Sequence, residues 1–293
     1  MYAKGMKLPQ GKRCAAFLTV NLAAEFFWLS LDERAAQMPK TLSLGQYGMT
    51  HGLPRLLDLL DELHLRATFF VPGRTAETYP ESIREIVERG HEIACHGYAY
   101  ENFSLLEPDE QRRRLEKAVE AIEKACGRRP AGFRAPIGDL MLETLDIARQ
   151  LGMRYSSDLY DDDRPYYMTV NQAGDQMLQI PMQWANFDLP YFAFNYRPAF
   201  PFGQGRVANY SNVLSNWRDE FTGHYNHGLC YTLQLDPQST GSPGRLAMLR
   251  EFLEFMVGHE GVWFATGSEL ADYCAQDPAS FPSLREQAEA AAR

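Results

Sequence analysis

The 293-residue sequence predicts an α/β fold with parallel strands and helices packed outside them. Short apolar segments alternate along the chain with longer segments whose apolar residues recur at helical spacing. The apolar segments contain few polar positions, which is typical of strands that are covered on both faces. Either a barrel or an open doubly wound sheet fits this pattern. The chain has no G-x-G-x-x-G or P-loop motif, so a nucleotide-binding fold has no local support.

Prolines and glycines mark where the predicted elements of the first half begin and end. Pro54 precedes leucines at helical spacing, and Pro80 and Gly90 bound the next helical segment. Pro72 and Gly73 end the second apolar segment. The predicted order is strand 14–20, helix 52–65, strand 67–73, helix 79–90, strand 91–97, helix 108–127, strand 131–136, helix 140–152 and strand 153–159.

The second half continues the alternation around a long insert. Strands are predicted over 178–184 and 229–236, a helix over 245–259, and a closing strand and helix over 262–274. The stretch from about 160 to 225 is rich in aromatic residues, proline and asparagine, and it is too long for a plain connection. We expect this insert to fold over a site, and residues 1–293 to form one domain.

Composition excludes several classes of partner. The net charge of −9 argues against general binding of nucleic acid or of an anionic membrane, because such surfaces need a basic excess. No segment has the roughly 18 apolar residues of a membrane span. The first residues show no long apolar region and no cleavage site, so we expect no secretory signal. The five cysteines are scattered and never in C-x-x-C spacing. We therefore expect reduced thiols and a cytoplasmic protein.

Polar residues follow several of the predicted strands. Parallel α/β folds place their chemistry where strands end at the carboxyl edge of the sheet, so residues from separate segments converge there. A mixture of histidine, carboxylate, amide and arginine side chains at such an edge suits acid–base chemistry. The candidates are Asn21, Glu25, His96, Tyr100, Arg134, Asp158, Asp188 and Asp236.

The spacing of these residues resembles the polysaccharide deacetylase family, whose NodB homology fold is a distorted (β/α) barrel. The resemblance covers about residues 14 to 275. The first family motif, Asp-x-Asp, supplies a base and a metal ligand; here VNLAAE puts Asn21 in the base position and Ala23 in the ligand position. The second motif, His-x-x-x-His, supplies two metal ligands; here it runs from His96 to Tyr100.

Three later motifs complete the resemblance. Arg-x-Pro is present as Arg134-Ala135-Pro136, and the segment YSSDLYDDDRPY resembles the fourth motif. The fifth motif is Leu-x-His-Pro, whose histidine is the general acid of the family; here it reads LDPQ, with Asp236 in that place.

The changed motifs remove most of the metal site that the resemblance implies. A catalytic metal of this kind needs three protein ligands and an open position for water. Ala23 has no donor atom, and a neutral tyrosine, with a pKa of about 10, is a poor ligand at Tyr100. We expect neither a metal nor another cofactor. Because the strands, caps and turns are intact in the sequence pattern, the changes in three separate motifs indicate altered chemistry.

A second branch of the superfamily resembles the sequence more closely. Cofactor-independent allantoinases and cyclic imide hydrolases have motifs similar to V-L-N-Y-E-E, H-E-I-C-S-H-G-Y-R-W and Y-D-S-D-x-Y-D-D-D-x-P-Y. The chain has VNLAAE, HEIACHGYAY and YSSDLYDDDRPY at these places. It departs from this branch at Ala23, where the branch has glutamate, and at Asp236, where the branch often keeps histidine.

This resemblance implies hydrolysis of a non-peptide C–N bond in a small cyclic imide or ureide, without a metal. Such a reaction needs a side chain that activates water and donors that hold the developing oxyanion. We expect Glu25 or Asp236 to be the general base and His96 to orient water or protonate the leaving nitrogen. The substrate-binding residues that we predict are Asn21, Tyr100, Arg134, Trp184 and Asp188.

Other interpretations stay open at this point. Arg134 is as well explained by an ion pair with Asp158 or Glu25, and Tyr100 by packing. The protein is otherwise an inactive scaffold that binds a glycan or a partner, or a metal-dependent deacetylase with a rearranged site of His96, Asp236 and Glu25. We expect a small-molecule cyclic amide as the partner, no nucleic acid or membrane, and a homo-oligomer, with a tetramer as one form.

Overall fold

The computed structural model describes residues 5–200 and 207–291, and one curled sheet organises them. The strands are β1 (Cys14–Asn21), β2 (Thr68–Val71), β3 (Glu92–Cys95), β4 (Gly132–Phe133), β5 (Tyr155–Ser156), β6 (Tyr166–Thr169), β7 (Gln176–Gln179), β8 (Asn195–Tyr196), β9 (Ala199–Phe200), β10 (Cys230–Leu235) and β11 (Val262–Phe264). Nine of them form the sheet in the order β10-β1-β2-β3-β4-β5-β7-β6, with β11 also paired to β1. Apart from the antiparallel pair of β6 and β7, neighbours in this sheet are parallel.

Helices cover the outside of the sheet and one end of it. They are α1 (Phe26–Leu31), α2 (Pro39–Tyr47), α3 (Leu53–Glu62), α4 (Gly73–Thr78), α5 (Pro80–Glu88), α6 (Pro108–Cys126), α7 (Leu142–Gln150), α8 (Leu189–Phe192), α9 (Tyr210–His227), α10 (Pro237–Thr240), α11 (Pro243–Val257), α12 (Gly267–Ala275) and α13 (Leu284–Ala291). A π-helical turn over Gly48–Gly52 joins α2 to α3. The predicted alternation of parallel strands with helices is therefore confirmed.

Both faces of the sheet are buried, as the apolar strands predict. Along β1, Ala16 and Leu18 belong to the larger core cluster beneath the helices, whereas Phe17 belongs to a smaller cluster inside the curl. In the smaller cluster Phe17 makes edge-to-face contacts with Phe70 and Tyr155, with ring centroids 6.4 Å apart in each case. Alternate residues of one strand thus supply two separate cores.

The segment that follows β5 closes the free edge of β10. Cys230 N–H donates to the carbonyl of Asp163 at 3.0 Å, and the Thr232 hydroxyl donates to the carbonyl of Pro181 at 2.7 Å. Asp188 N–H donates to the carbonyl of Gln234 at 3.1 Å. These bonds satisfy an edge that otherwise has unpaired backbone groups, and they turn the curled sheet into a distorted barrel.

Several elements differ from the sequence prediction. The insert at 160–225 contains the antiparallel strand β6 and the 18-residue helix α9, neither of which was predicted; its residues 201–206 lie outside the described residues. The strand predicted over 178–184 ends at Gln179, because Pro181 has no N–H with which to continue a ladder. The strand predicted over 131–136 has only two residues.

The sequence of helix α9 contains a helix cap and apolar residues at helical spacing, although its composition is poor in helix-forming residues. Asn209 caps it by accepting from the N–H groups of Ser211 and Asn212, and its buried face includes Val213, Trp217 and Phe221, each four residues apart. The intervening asparagines, glycine and histidine have low helix propensity, so packing of this face decides the conformation.

None of the helices within residues 5–200 and 207–291 has the length and apolar character that a membrane span requires.

Gly132 tests the packing of the barrel interior. A Cβ at this position would lie 2.0 Å from Cζ of Tyr155, which is fully buried. We predict that Gly132→Ala lowers the free energy of unfolding by about 3 kcal/mol or more, because the ring has no room to move. Gly223→Ala is the matched control: no atom lies within 4 Å of its added Cβ.

Since Gly223 lies inside α9, its substitution is expected to raise the free energy of unfolding by about 0.5–1 kcal/mol. Denaturant unfolding of both variants measures the two effects. Equal changes in the two variants would show that Tyr155 is loosely packed.

Candidate active site

A cleft of about 380 Å³ opens at the carboxyl ends of the central strands. Its apolar side includes Phe27, Met182, Phe187 and Leu189, which come from α1 and from the segment that closes the barrel. Its polar residues come from β1, β4, β5, β10 and the loop after β3. They include Asn21, Tyr100, Arg134, Asp139, Asp158 and Gln234. The predicted convergence of strand ends therefore forms a concave, mostly apolar pocket with a few polar groups, as small-molecule sites usually have.

Arg134 is the centre of the polar side. Its guanidinium is 1% exposed and lies over the ring of Phe70, with Cζ 4.0 Å from the ring centroid. Nη1 donates to Thr19 Oγ1 at 2.9 Å and to Asn21 Oδ1 at 3.1 Å. Nε and Nη2 donate to the carbonyl and hydroxyl oxygens of Ser157 at 2.9 and 2.8 Å. One side chain thus ties together the ends of β1, β4 and β5.

The ion pair that was one interpretation of Arg134 is not formed. Within the described chain, the guanidinium has no contact with the carboxylate of Asp158 or Glu25 inside the 4.0 Å that defines an ion pair. Burial lowers the pKa of Arg134 to about 10, against the opposing effect of the Asp158 charge. The residue therefore remains a cation at neutral pH, held by neutral oxygens.

His96 lies below the cleft, and one of its two ring nitrogens has no hydrogen-bond partner among the described residues. Its Nδ1 is 2.7 Å from the carbonyl oxygen of Arg134. A carbonyl only accepts, so Nδ1 carries the proton and Nε2 presents a lone pair. Nε2 is buried and has no hydrogen-bond partner among the described residues. Burial lowers the pKa of His96 to about 3, so the ring is neutral.

Tyr100 stands between His96 and the apolar side of the cleft. Its ring meets those of His96 and Phe27 edge to face, with centroids 5.2 and 5.7 Å apart. Its backbone is left-handed, with φ +66°, a conformation that costs a non-glycine residue free energy and is concentrated at functional sites. Burial, followed by the nearby Asp236 charge, raises the pKa of the hydroxyl above its ordinary value. Tyr100 is therefore a neutral O–H donor facing the cleft.

The residues at the implied metal site do not fit a divalent ion. Ala23 is fully buried and has no donor atom, and the raised pKa of Tyr100 keeps its oxygen protonated. Only Nε2 of His96 remains from the three implied ligands. In the part of the chain that the structure describes, no group of three or more histidine, cysteine or acidic side chains is arranged to hold a metal.

Asp236 and Asp188 form a buried pair behind the cleft. Asp236 caps α10, accepting from Gln238 N–H at 3.0 Å and from Gln238 Nε2 at 3.2 Å. Asp188 Oδ2 accepts from Asp236 N–H at 2.9 Å and from the Thr240 hydroxyl. Burial raises the pKa of Asp236 to about 7, and burial together with the Asp236 charge raises that of Asp188. Both are in the range where proton transfer is efficient, although neither lines the cleft.

The carboxylate of Glu25 is paired with a residue that does not line the cleft. Its Oε2 accepts a hydrogen bond at 2.9 Å from the hydroxyl of Tyr79, which lies between α4 and α5. It is not among the residues that line the cleft. Of the predicted substrate-binding residues, Asn21, Tyr100, Arg134 and Trp184 line the cleft, whereas Asp188 supports Asp236 from behind.

Sequence reasoning did not assign a role to two polar residues of the cleft. The sequence suggested Asp158 as a strand-end carboxylate and as an ion-pair partner of Arg134, without a catalytic role. In the structure it accepts from Ala135 N–H at 2.6 Å and from Ser156 Oγ at 2.5 Å. Burial raises its pKa to about 6. Gln234, two residues before Asp236, also faces the cleft. The rule that strand ends carry the chemistry applies to both positions.

The mouth of the cleft is aromatic. Trp184 is 61% exposed and stacks on Tyr160, with ring centroids 5.3 Å apart. Phe187 packs against the other side of Trp184 at 5.0 Å. Exposed aromatic rings at a cavity mouth offer a flat apolar surface to a ligand.

Comparisons with known proteins agree with this arrangement. The profile of the polysaccharide deacetylase family matches residues 45–156. A peptidoglycan deacetylase of Helicobacter pylori is 30% identical over 277 residues, which cover 86% of this chain and 93% of that protein. The solved structure of a Mycobacterium smegmatis protein assigned to the polysaccharide deacetylases is 34% identical, with a TM-score of 0.87 and coverage of 94% and 95%.

A solved PuuE allantoinase is also similar, at 25% identity and a TM-score of 0.79, covering 92% of this chain and 93% of its own. The barrel has the distorted NodB-type fold, as the resemblance implied. Because relatives at 30% identity or more align over most of both chains, the chain belongs to the polysaccharide deacetylase family, and it is a hydrolase of that family.

Proposed function

We propose that the protein opens the ring of a small cyclic imide or ureide by hydrolysis, with side chains and not a metal activating the water. The observation that carries the proposal is a cleft that keeps a cation, a carboxylate and oxyanion donors where the metal ligands are lost. Arg134, Asp158 and Tyr100 line it, while Ala23 has no ligand atom. The similarity to an allantoinase, a hydrolase of a cyclic ureide, supports the same reading.

The chemistry of the substrate favours a metal-free route. An imide carbonyl is more electrophilic than that of an ordinary amide, and its nitrogen leaves more readily. Less Lewis-acid assistance is therefore needed than for an acetamide. Fixed hydrogen-bond donors in a water-poor cleft supply the remaining stabilisation of the oxyanion.

Asp158 is the base that we assign to the cleft. Its pKa of about 6 leaves it ionised at neutral pH, yet basic enough to take a proton from water. The hydroxide oxygen then bonds to the imide carbon, the C–N bond breaks, and the nitrogen takes up the proton that Asp158 removed from water. The product is an open chain with one carboxylate and one amide. Asp236, with its pKa of about 7, is the second proton-carrying candidate, in the layer behind Tyr100.

Asn21 and Tyr100 are the donors for the carbonyl oxygen. Asn21 Oδ1 accepts from Arg134, so the orientation of the amide is fixed and its NH₂ group is left for the cleft. The Tyr100 hydroxyl has no hydrogen-bond partner among the described residues and lines the same cleft. The positive charge of Arg134 behind them favours a developing oxyanion.

A second candidate function is removal of an acetyl group from a peptidoglycan sugar. The 30% identical Helicobacter pylori relative favours it, and the exposed Trp184–Tyr160 pair offers a surface for a sugar ring. A panel of cyclic and acetylated substrates separates the two functions.

The panel consists of succinimide, hydantoin, allantoin and acetylated chitooligosaccharides. We predict turnover of at least one cyclic substrate and none of the oligosaccharides. Asp158→Asn should lower kcat by about 10²- to 10⁴-fold, because the base is lost while the side-chain shape is kept. Asp161→Asn is the matched control: it lies three residues away, is exposed and does not line the cleft. Release of acetate with no ring opening would replace this proposal by the second candidate.

The pH dependence of catalysis follows from the Asp158 pKa. Only the ionised carboxylate accepts a proton, so kcat/KM should rise with pH through about 6 and level off above it. Initial rates between about pH 4.5 and 8.5 measure this profile. A profile that falls across this range would exclude Asp158 as the base.

Stability should show the opposite dependence on pH. The pKa of Asp236 is raised from 3.8 to about 7, so between these values the unfolded chain ionises while the folded carboxyl stays protonated. Folding is then penalised increasingly up to pH 7, by about 1.4 kcal/mol per pKa unit, and the penalty is constant above that. Asp236→Asn should therefore stabilise the protein by a few kcal/mol at pH 8 and hardly at pH 4.

Denaturant unfolding at the two pH values measures this difference. Asparagine keeps the acceptor for Gln238 N–H and loses the one for Gln238 Nε2 at both pH values, so the difference between the two pH values isolates the charge. An equal effect of Asp236→Asn at both pH values would mean that the carboxylate ionises freely.

A further inference from the structure

The side-chain amide of Gln234 is unsatisfied. The residue lies near the end of β10 and is 7% exposed. Its backbone carbonyl accepts from Asp188 N–H, but Oε1 is buried without a hydrogen-bond partner among the described residues. The Nε2 atom of Gln234 likewise has no hydrogen-bond partner among the described residues. Gln234 thus lines the cleft with a side-chain amide that makes no hydrogen bond among the described residues, and whose Oε1 is buried.

Two other buried glutamines show what a structural amide does in this fold. Gln111 donates to the carbonyl of Leu106 and accepts from the hydroxyl of Thr144. Gln179 makes one hydrogen bond, with Ser156 Oγ at 2.8 Å, and its Nε2 is buried without a partner among the described residues. Each of the two amides therefore makes at least one hydrogen bond, whereas that of Gln234 makes none within the described chain. An unsatisfied buried amide destabilises a protein, and a leucine of similar size would not. Polar groups left unsatisfied at a site are where function overrides stability.

The amide offers a donor and an acceptor side by side, whereas the ionised carboxylate of Asp158 in the same cleft only accepts. Asn21 and Tyr100 offer donors for a substrate carbonyl. A cyclic imide also has an N–H, held cis to its carbonyl by the ring, so that donor and acceptor lie side by side on one edge. A primary carboxamide matches that edge with two hydrogen bonds. In a trans acetamide the N–H and C=O point in opposite directions and cannot pair in this way.

We propose that the Gln234 carboxamide is the specificity-determining group of the cleft and recognises the cis C=O/N–H edge of a cyclic imide or ureide. This inference rests on the proposed function and sharpens its substrate class: the ring nitrogen next to the recognised carbonyl is unsubstituted. It also separates ring opening from deacetylation, since the acetamide of a sugar lacks the edge.

Binding of succinimide and N-methylsuccinimide tests the inference by titration calorimetry. The unmodified protein should bind succinimide about 10-fold or more tightly than the methylated ring, because methylation removes the N–H that donates to Oε1 and leaves that buried oxygen unpaired. Gln234→Leu should weaken succinimide binding until the two ligands bind about equally. Gln183→Leu, a matched control that does not line this cleft, should keep the full preference.

A second measurement excludes misfolding as the cause. Thermal unfolding of Gln234→Leu should have a midpoint equal to or above that of the unmodified protein, because the buried unsatisfied amide is gone. Gln234→Glu, which accepts but does not donate when ionised, should retain an intermediate preference. If the leucine variant keeps the 10-fold preference, rejection of the methyl group is steric and the inference is overturned.

Turnover of the same rings, measured separately, distinguishes this inference from the proposed function. Hydrolysis of succinimide with an unchanged preference in Gln234→Leu would overturn the role of Gln234 alone. The expected binding pattern without turnover at any pH would uphold recognition and overturn the hydrolase proposal. Failure of the unmodified protein to bind either ring would overturn both.

Discussion

A buried arginine without a carboxylate partner is the constraint on which the rest of the site depends. Arg134 is held by Thr19, Asn21 and Ser157, and its own carbonyl accepts the Nδ1–H of His96. Removal of a charge from water is costly unless the charge is well hydrogen-bonded, so these oxygens cannot be replaced freely. The ends of four parallel strands are therefore fixed around one cation.

The neutral side chain of Asn21 leaves the positive charge of Arg134 uncompensated. An aspartate at that position would form an ion pair with Arg134, and the field of the cation would be largely cancelled. Asparagine accepts the same hydrogen bond and leaves both the charge and an NH₂ donor for the cleft. Asn21 in the base position, and Ala23 and Tyr100 in ligand positions, thus leave neutral groups where the family motifs have a base and two metal ligands. The carboxylates of the site lie at other positions. Asp158 is in the cleft, and Asp188 and Asp236 form a buried pair behind it.

The sequence predicted the barrel better than it predicted the positions of side chains. Apolar strands bounded by Pro72 or Gly90 follow from local physics, and so does the convergence of strand ends. Helix α9 escaped prediction because its conformation is decided by packing of Trp217 and Phe221 against the sheet, which no local propensity records.

Within the site, spacing located Asn21, Tyr100, Arg134 and Trp184 at the cleft. It did not reveal that Glu25 turns toward Tyr79, that Asp188 supports Asp236, or that Gln234 lacks a partner. Those facts depend on side-chain direction in three dimensions. A position at a strand end identifies a residue as a candidate for the site. The hydrogen bonds that its side chain makes in the folded protein decide its role.

The central claim is that the protein hydrolyses a ring C–N bond without a metal. Elemental analysis of the purified protein, combined with turnover of a cyclic imide before and after dialysis against a chelator, tests it most directly. The account predicts sub-stoichiometric metal and an unchanged rate after dialysis, because Ala23 and the protonated Tyr100 do not bind a cation. One equivalent of a divalent metal per chain, whose removal abolishes turnover and whose return restores it, would contradict the account.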